Sequence, residues 1–556
     1  MRNALIACII VALAGCSRSS PETSGAGTPP ASKTPLFDNL GKHHFEITTT
    51  SADAQRYFDQ GFTLSYAFNH GEAIRSFRAA AGLDPSCAMC YWGIAFALGP
   101  NINAPITEAA AKEAYDAIRQ ARERAERATA RERAYIDALS ARYDANAAAE
   151  RAPLDRAYAE AMRAVVQRFP DDLDAATLFA QSLMDTSPWN YWNQDGSPRP
   201  FTNDVITALE SVLKRQPDHI GAIHMYIHAV EASPNPGRAE PYAGKLAALV
   251  PGAGHLVHMP AHTYLRTGRY AEASLANRNA IKADAAYLAG DRAAGNMTYE
   301  IGYIPHNMHF LVTSASMEGR RADALAAADQ VHSHMHADML RDRDMGGMVQ
   351  HMMLTPIFTK VRFGMWSDVL AEPLPPQDLS YMSAIAHAAR GMALTATGQL
   401  DAAETELAAA TKAGADPALE KLYVSSVNNA AAIAAIARDV LGAQIATKRR
   451  RASEAVARFA KAAGTEDGLI YMEPPDWPVP VRQLQGVALL ELGRIPEAER
   501  AFQEDLRKFP ENGWSLTGLR DALKRQGRAK EAADVETRLK RAWPDDPEAT
   551  TVTKTN

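Results

Sequence analysis

Residues 61–85, GFTLSYAFNHGEAIRSFRAAAGLDP, and residues 486–510, GVALLELGRIPEAERAFQEDLRKFP, decide how this 556-residue chain folds. They lie near opposite ends, yet Gly61, Leu64, Ala73, Phe77 and Pro85 have the same internal spacing as Gly486, Leu489, Ala498, Phe502 and Pro510. Small residues at set places let two antiparallel helices approach closely, large ones fill the space beside them, and the proline ends the second helix. Gly391, Leu394 and Ala403 repeat the spacing, and Ala532 follows Ala498 by 34 residues. Looser copies fill the interval. Arg168-Phe169-Pro170 and Arg215-Gln216-Pro217 read as the ends of units. Gly268-Arg269-Tyr270-Ala271-Glu272-Ala273 and Gly319-Arg320-Arg321-Ala322-Asp323-Ala324 read as a turn followed by the start of a second helix. Residues 105–150 are rich in Ala, Arg and Glu and read as long solvated helices; residues 430–460 read as Ala-rich helix. No alternation of polar and apolar residues is long enough to build a sheet.

This arrangement of Gly, Ala, Leu, Phe and Pro, with its 34-residue step, resembles the tetratricopeptide (TPR) repeat family. The resemblance covers most of the chain, strongly at both ends and loosely in the middle. It implies an all-α fold, a right-handed α-α superhelix of TPR-like solenoid type, with a concave groove where ligands bind. Residues 37–150 would hold N-terminal repeats and charged helices, residues 151–420 the central repeats, and residues 421–556 the C-terminal repeats.

The N-terminus reads differently. Arg2, a short apolar run at residues 5–14 and small residues before Cys16 form the pattern of a signal peptide over residues 1–15. Leu13-Ala14-Gly15-Cys16 resembles the lipobox of bacterial lipoproteins. That resemblance implies cleavage before Cys16, lipid on Cys16, and, with Ser17 following, sorting to the outer membrane on its periplasmic side. Residues 16–36, rich in Ser, Pro, Thr and Gly, would be the flexible tether. No later run reaches transmembrane length, so the lipid would be the only hold on the membrane.

The net charge of −6, with Arg and Glu interspersed, argues against a nucleic-acid surface, which needs a basic patch. Beyond Cys8 and Cys16 the chain has only Cys87 and Cys90. In an exported protein this pair reads as a local disulfide, with a soft thiolate–methionine metal site as the rival. Residues 185–201, DTSPWNYWNQDGSPRPF, interrupt a unit with Pro188, Gly196, Pro198 and Pro200 and carry Trp189, Tyr191 and Trp192. Such a loop is either a binding loop or packing on the convex side.

The chain has 16 histidines, eight of them from His219 to His309. His224 and His228 are four apart, as are His258 and His262, and the pairs are offset by 34 residues, one repeat. His255 and His258 are three apart, as are His306 and His309. Counted from the small residues of the second helices, all seven fall on first helices at positions that share one stripe. By the TPR resemblance that stripe faces the groove. His351 would join it from the next unit.

Imidazoles three or four apart on a helix can share one ion, with neighbouring helices supplying further ligands, and Glu231, one turn after His228, could be a ligand or a base. Met225, Met259 and Met308 sit beside these histidines, and Met335, Met339, Met345, Met348, Met352 and Met353 follow. Thioether with imidazole favours copper; zinc and iron are equally compatible with the imidazoles. The sequence has no Gly-x-Ser-x-Gly, no His-Glu-x-x-His and no phosphate-cradling glycine loop, so it carries no recognisable catalytic motif. Two functions follow. One is a binding scaffold whose groove takes a protein or peptide partner at the cell envelope, with Trp92, Phe96, Trp189 and Trp192 as anchors. The other is a copper, zinc or iron protein, for binding or catalysis, using His224, His228, His255, His258, His262, His306 and His309.

Overall fold

Phe77 explains the repeat. Its ring lies between Gly61 and Gly93: an ideal Cβ on either glycine would stand 2.8 or 2.4 Å from it. Phe502 occupies the same place between Gly486 and Gly518, where a Cβ would stand 2.5 or 2.1 Å away. In both copies the second glycine follows the first by 32 residues. One phenylalanine of a second helix therefore touches the first helix of its own unit and that of the next, and the glycines make room for it.

The structure, a computed structural model, describes residues 34–289, 296 and 298–544. The signal peptide, the lipobox with Cys16 and most of the tether lie outside the described residues. The described chain is all-α, an α-α superhelical repeat array of antiparallel helix pairs, running from Ala52–Tyr66 with His70–Leu83 to Gly513–Arg525 with Ala529–Ala542. The β structure among the described residues is limited to isolated bridges. Gly268 and Gly319, at φ +76° and +71°, form the predicted turns; the left-handed backbone there ends one helix and redirects the chain into the next.

Two stretches depart from the expected long helices. Residues 105–150 divide into Glu108–Arg124, one 3-10 turn at Ala125–Arg127 and Ala130–Ser140, where Thr129 and Glu132 form a reciprocal cap. Residues 430–460 bend at Arg450 (φ 59°) between Ala430–Lys448 and Ala452–Gly468. Ala430–Lys448 is long and apolar enough to cross a membrane by composition, but 72% of its apolar window is buried, as in a core helix. Cys87 and Cys90 are joined by a disulfide at the start of Ala88–Leu98.

The array folds back on itself. Tyr270 Oη donates to the Pro510 carbonyl (2.8 Å) and Arg266 Nη1 to that of Lys508 (2.7 Å). The Trp514 and Trp543 indoles donate to the carbonyls of Ser316 and Met317, both at 2.9 Å. Ala261, Leu265 and Phe310 of the middle share a core with Phe502, Trp514 and Trp543. Ile470, Tyr471 and Met472 pack on the large core that runs from Leu40 to Ile304. The middle helices are thus packed against the C-terminal part of the chain.

Candidate functional site

Helix Ile220–Val230 is apolar on every side except for His224 and His228, and all of its residues are buried. A helix of that kind belongs in the core, and any imidazole on it must find partners inside. The next first helix is split by Pro260 into Gly254–His258 and Pro260–Arg266, which carry His255, His258 and His262. His306 and His309 lie on Ile304–Met317, entered through a π-helical turn at Tyr299–Tyr303.

These helices bring six of the seven predicted imidazoles together in two trios. In the first, His224 Nε2 lies 3.1 Å from His228 Nε2 and 3.1 Å from His255 Nε2. The second comprises His258, His262 and His306, with one nitrogen of each within 4.8 Å of the others. Five of the six are at most 2% exposed, and His306 is half-buried. The second trio is therefore the one with an accessible side.

The outward nitrogens decide the tautomers. His224 Nδ1 is 2.6 Å from the Tyr66 carbonyl oxygen, which can only accept, so Nδ1 holds the proton and Nε2 the lone pair. His258 Nδ1 is 2.6 Å from Asn277 Oδ1; the Asn277 amide donates to the Ala273 carbonyl, which orients that oxygen as the acceptor. Glu231 spans the trios: Oε1 is 2.8 Å from His228 Nδ1 and Oε2 is 2.5 Å from His262 Nδ1. With Glu231 charged, all four Nε2 atoms carry lone pairs. His258 Nε2 and His262 Nε2 are buried without any protein partner. In that charged state of Glu231, His224 and His228 aim their lone pairs at each other at 3.1 Å, an arrangement that repels unless a proton or a cation lies between.

Burial opposes the proton. It holds His228 and His258 down to a pKa of about 3 and His224, His255, His262 and His306 well below their usual 6.5, with neighbouring imidazoles adding to the effect in most of them. The surroundings are aromatic. Phe68 lies 4.5 Å from His224 between ring centroids, Trp189 5.1 Å from His228, Tyr303 4.9 Å from His255, and Phe310 4.5 and 4.4 Å from His258 and His262. Burial also pushes the protonation of Glu231 well up, while Arg266 and Tyr471 pull it down. A cation among the imidazoles would hold this carboxylate in its charged form.

The arrangement fits a metal ion. Ligands bound tetrahedrally at ~2.0–2.1 Å stand about 3.3 Å apart, close to the nitrogen spacing of the first trio. Ring nitrogens on the far side donating to a carboxylate, an amide or a carbonyl are the usual outer partners of metal-bound histidine. Glu231 faces Nδ1 atoms and would serve as that outer partner, while His228, Glu231 and His262 also lie close enough together to hold an ion themselves.

The other predicted residues fall elsewhere. His309 stands outside both trios; its ring faces His351, 6.1 Å away between centroids, and its Nδ1 has no partner. Three residues on from His306, it is turned toward the next helix pair. Trp92 and Phe96 are not groove anchors: they stack at 5.1 Å inside the core, and the Trp92 indole donates to the Tyr135 carbonyl. The loop at residues 185–201 is neither free nor convex. Trp192 Nε1 donates to the Ala229 carbonyl (2.8 Å), and Trp189, only 4% exposed, covers His228. Met225 and Met259 pack in the hydrophobic core, and half-buried Met308 packs against it.

Sequence reasoning missed the outer partners and a neighbouring carboxylate. Tyr66 acts through its backbone, Asn277 sits unmarked on a second helix, and Glu473 comes from the far end of the chain. Glu473 is 2% exposed and accepts from Tyr471 Oη. Its second oxygen, 3.7 Å from His262 Nδ1, is beyond hydrogen-bond reach and has no partner among the described residues, so Glu473 is a neighbour of the site rather than an outer partner. A separate group was also missed: Asp174 Oδ1 accepts from Tyr66 Oη (2.8 Å) and lies 3.1 and 3.2 Å from Nε2 of His43 and His219. None of these has a local signal, because each depends on which helices meet.

No protein-family model and no curated protein matches the chain. Among solved structures, the chain is similar to one from the crystal structure of the APC/C hetero-tetramer Cut9–Hcn1, at 12% identity and a TM-score of 0.29, covering 90% of this chain and 75% of that one. It is similar to human IFIT1 in a dimer with PPP-AAAA at 12% identity and a TM-score of 0.33, covering 89% and 91%. The P58(IPK) TPR domain matches at 12% identity and a TM-score of 0.21, covering 86% and 99%.

Proposed function

We propose that this chain is a metal-binding helical-repeat protein whose buried imidazoles hold divalent transition-metal ions, one per trio. The carrying observation is the pair His224 and His228, whose Nε2 atoms meet at 3.1 Å while their Nδ1 atoms are engaged by the Tyr66 carbonyl and Glu231. Neutral imidazoles without thioether or thiolate suit zinc, and also copper(II), iron and nickel. The first trio is fully buried but supplies three ligands, one short of a four-coordinate structural site. The second, with half-buried His306, leaves room for a further ligand.

Elemental analysis of the untagged protein tests this. Roughly two ions per chain are expected, with His224→Ala removing one and His258→Ala the other while the helical circular dichroism persists. A wild-type protein that carries no metal, and after chelation takes up none of Zn²⁺, Cu²⁺, Fe²⁺ or Ni²⁺, would sink the reading. Export and lipid anchoring at Cys16 belong to the same proposal, supported by Leu13-Ala14-Gly15-Cys16 and by a disulfide that suits an oxidising compartment. Cys16→Ser should release the protein from the membrane fraction. Use of the groove by a protein or peptide partner is the weaker reading, since its expected anchors Trp92, Phe96 and Trp189 are buried.

A further inference from the structure

A second site lies away from the histidines. Helices Thr355–Arg362, Ser380–Ala396, Ala430–Lys448 and Val481–Glu491 enclose a cleft of about 120 Å³. Its walls are mostly apolar, chiefly Trp366, Ile385, Met392, Leu484 and Trp514; Lys448 and Glu491, paired with each other at 3.0 Å, also line it. Arg362 lines it as well and is only 7% exposed.

Among the described residues this guanidinium has no carboxylate beside it. Nη1 donates to Gln483 Oε1 (2.6 Å), Nη2 lies 3.8 Å from Met317 Sδ, the cation sits 4.2 Å above the Trp514 ring, and Nε has no partner. Its nearest counter-charge, Asp505, is reached only through Gln483, whose amide donates to Asp505 Oδ2 (2.9 Å). Burial accordingly pulls the Arg362 pKa down to about 9. A buried cation without a paired anion is costly, and the cost falls when an anion arrives. Two further polar atoms in the lining are buried without partners, the Trp477 indole N–H and Gln444 Oε1.

We propose that this cleft binds an apolar carboxylic acid, its hydrocarbon chain along Trp366, Ile385 and Met392 and its carboxylate paired with Arg362. An uncharged apolar ligand would fill the walls but leave the guanidinium unpaired, and a cationic amphiphile would meet like charge. The walls and the one buried cation thus select together for an amphipathic anion.

Three tryptophans line the cleft, so their fluorescence in the full-length, metal-loaded protein reports occupancy directly. Decanoate, decan-1-ol and decyltrimethylammonium are titrated below their micellar concentrations. Decanoate should bind about tenfold or more tighter than decanol, and the ammonium weakest. Arg362→Met should erase the preference for acid over alcohol while apolar binding survives and metal content is unchanged. Ala396→Trp, at the rim, should block decanoate in a protein that keeps Arg362, so a folding failure of the first variant does not end the test. Equal binding of the three probes, no binding of decanoate, or an unaltered acid preference in Arg362→Met would overturn the proposal.

Discussion

At His228 one ring serves two neighbours, His224 through Nε2 and Glu231 through Nδ1. Glu231 in turn serves His262, so a single carboxylate sets the tautomer of one imidazole in each trio. Glu231→Gln offers one acceptor oxygen in place of two and turns an amide toward the other ring. Metal affinity should fall about 10–100-fold, measured by competition with a chromogenic chelator; an unchanged affinity would remove Glu231 from the outer shell. His351 supplies a pH prediction. Burial, then His309, lowers its pKa from 6.5 to about 3, with the Tyr381 hydroxyl 2.7 Å from its Nδ1. Between those values the unfolded chain binds a proton that the folded chain refuses, so stability falls as pH drops, by up to about 1.4 kcal/mol per pH unit. In metal-free protein His351→Gln should flatten the slope of stability against pH from 6.5 to 3, and a slope equal to wild type would refute the assignment.

At the scale of elements, the Gly–Phe–Gly sandwich carries the repeat. Gly93→Ala places a methyl 2.4 Å from the Phe77 ring and should cost about 1–3 kcal/mol in denaturant unfolding. Adding Phe77→Leu should make the cost of the methyl smaller, whereas additive costs would mean that the clash lies elsewhere. The loop at residues 185–201 is an element of the site. Trp189 holds a left-handed backbone (φ 62°) with its ring against His228, and the fold sustains that conformation only because Tyr191 and Trp192 are pinned beside it. Trp189→Ala should speed metal release to a chelator about tenfold with little change in helicity. Release at the wild-type rate would make the loop mere packing.

At the scale of the molecule, the site draws on distant parts of the chain. Tyr66 comes from the first helix pair, the imidazoles from the middle, and Glu473 from beyond Ala452–Gly468. An ion that binds only when these meet should stabilise the whole array. Chelation is expected to lower the midpoint of a single thermal transition by several degrees, and the shift should grow with free metal before chelation. A biphasic melt in which only the middle repeats respond would mean that closure is independent of the site.

The spacing of Gly61, Ala73, Phe77 and Pro85 was enough to specify helix pairs, because close helix contact admits only small residues at particular turns. The periodic placement of His224, His228, His258 and His262 was enough to put imidazoles on a common stripe, because helical geometry is local. Whether that stripe faced an open groove was decided by tertiary structure. The C-terminal pairs fold back, Trp189 covers His228, and Trp92 and Phe96 turn inward. The outer partners Tyr66 and Asn277, the neighbouring Glu473 and the lone guanidinium of Arg362 had no sequence signal for the same physical reason. Hydrogen bonding and desolvation depend on what a side chain meets in space, and a repeat constrains only its neighbours along the array.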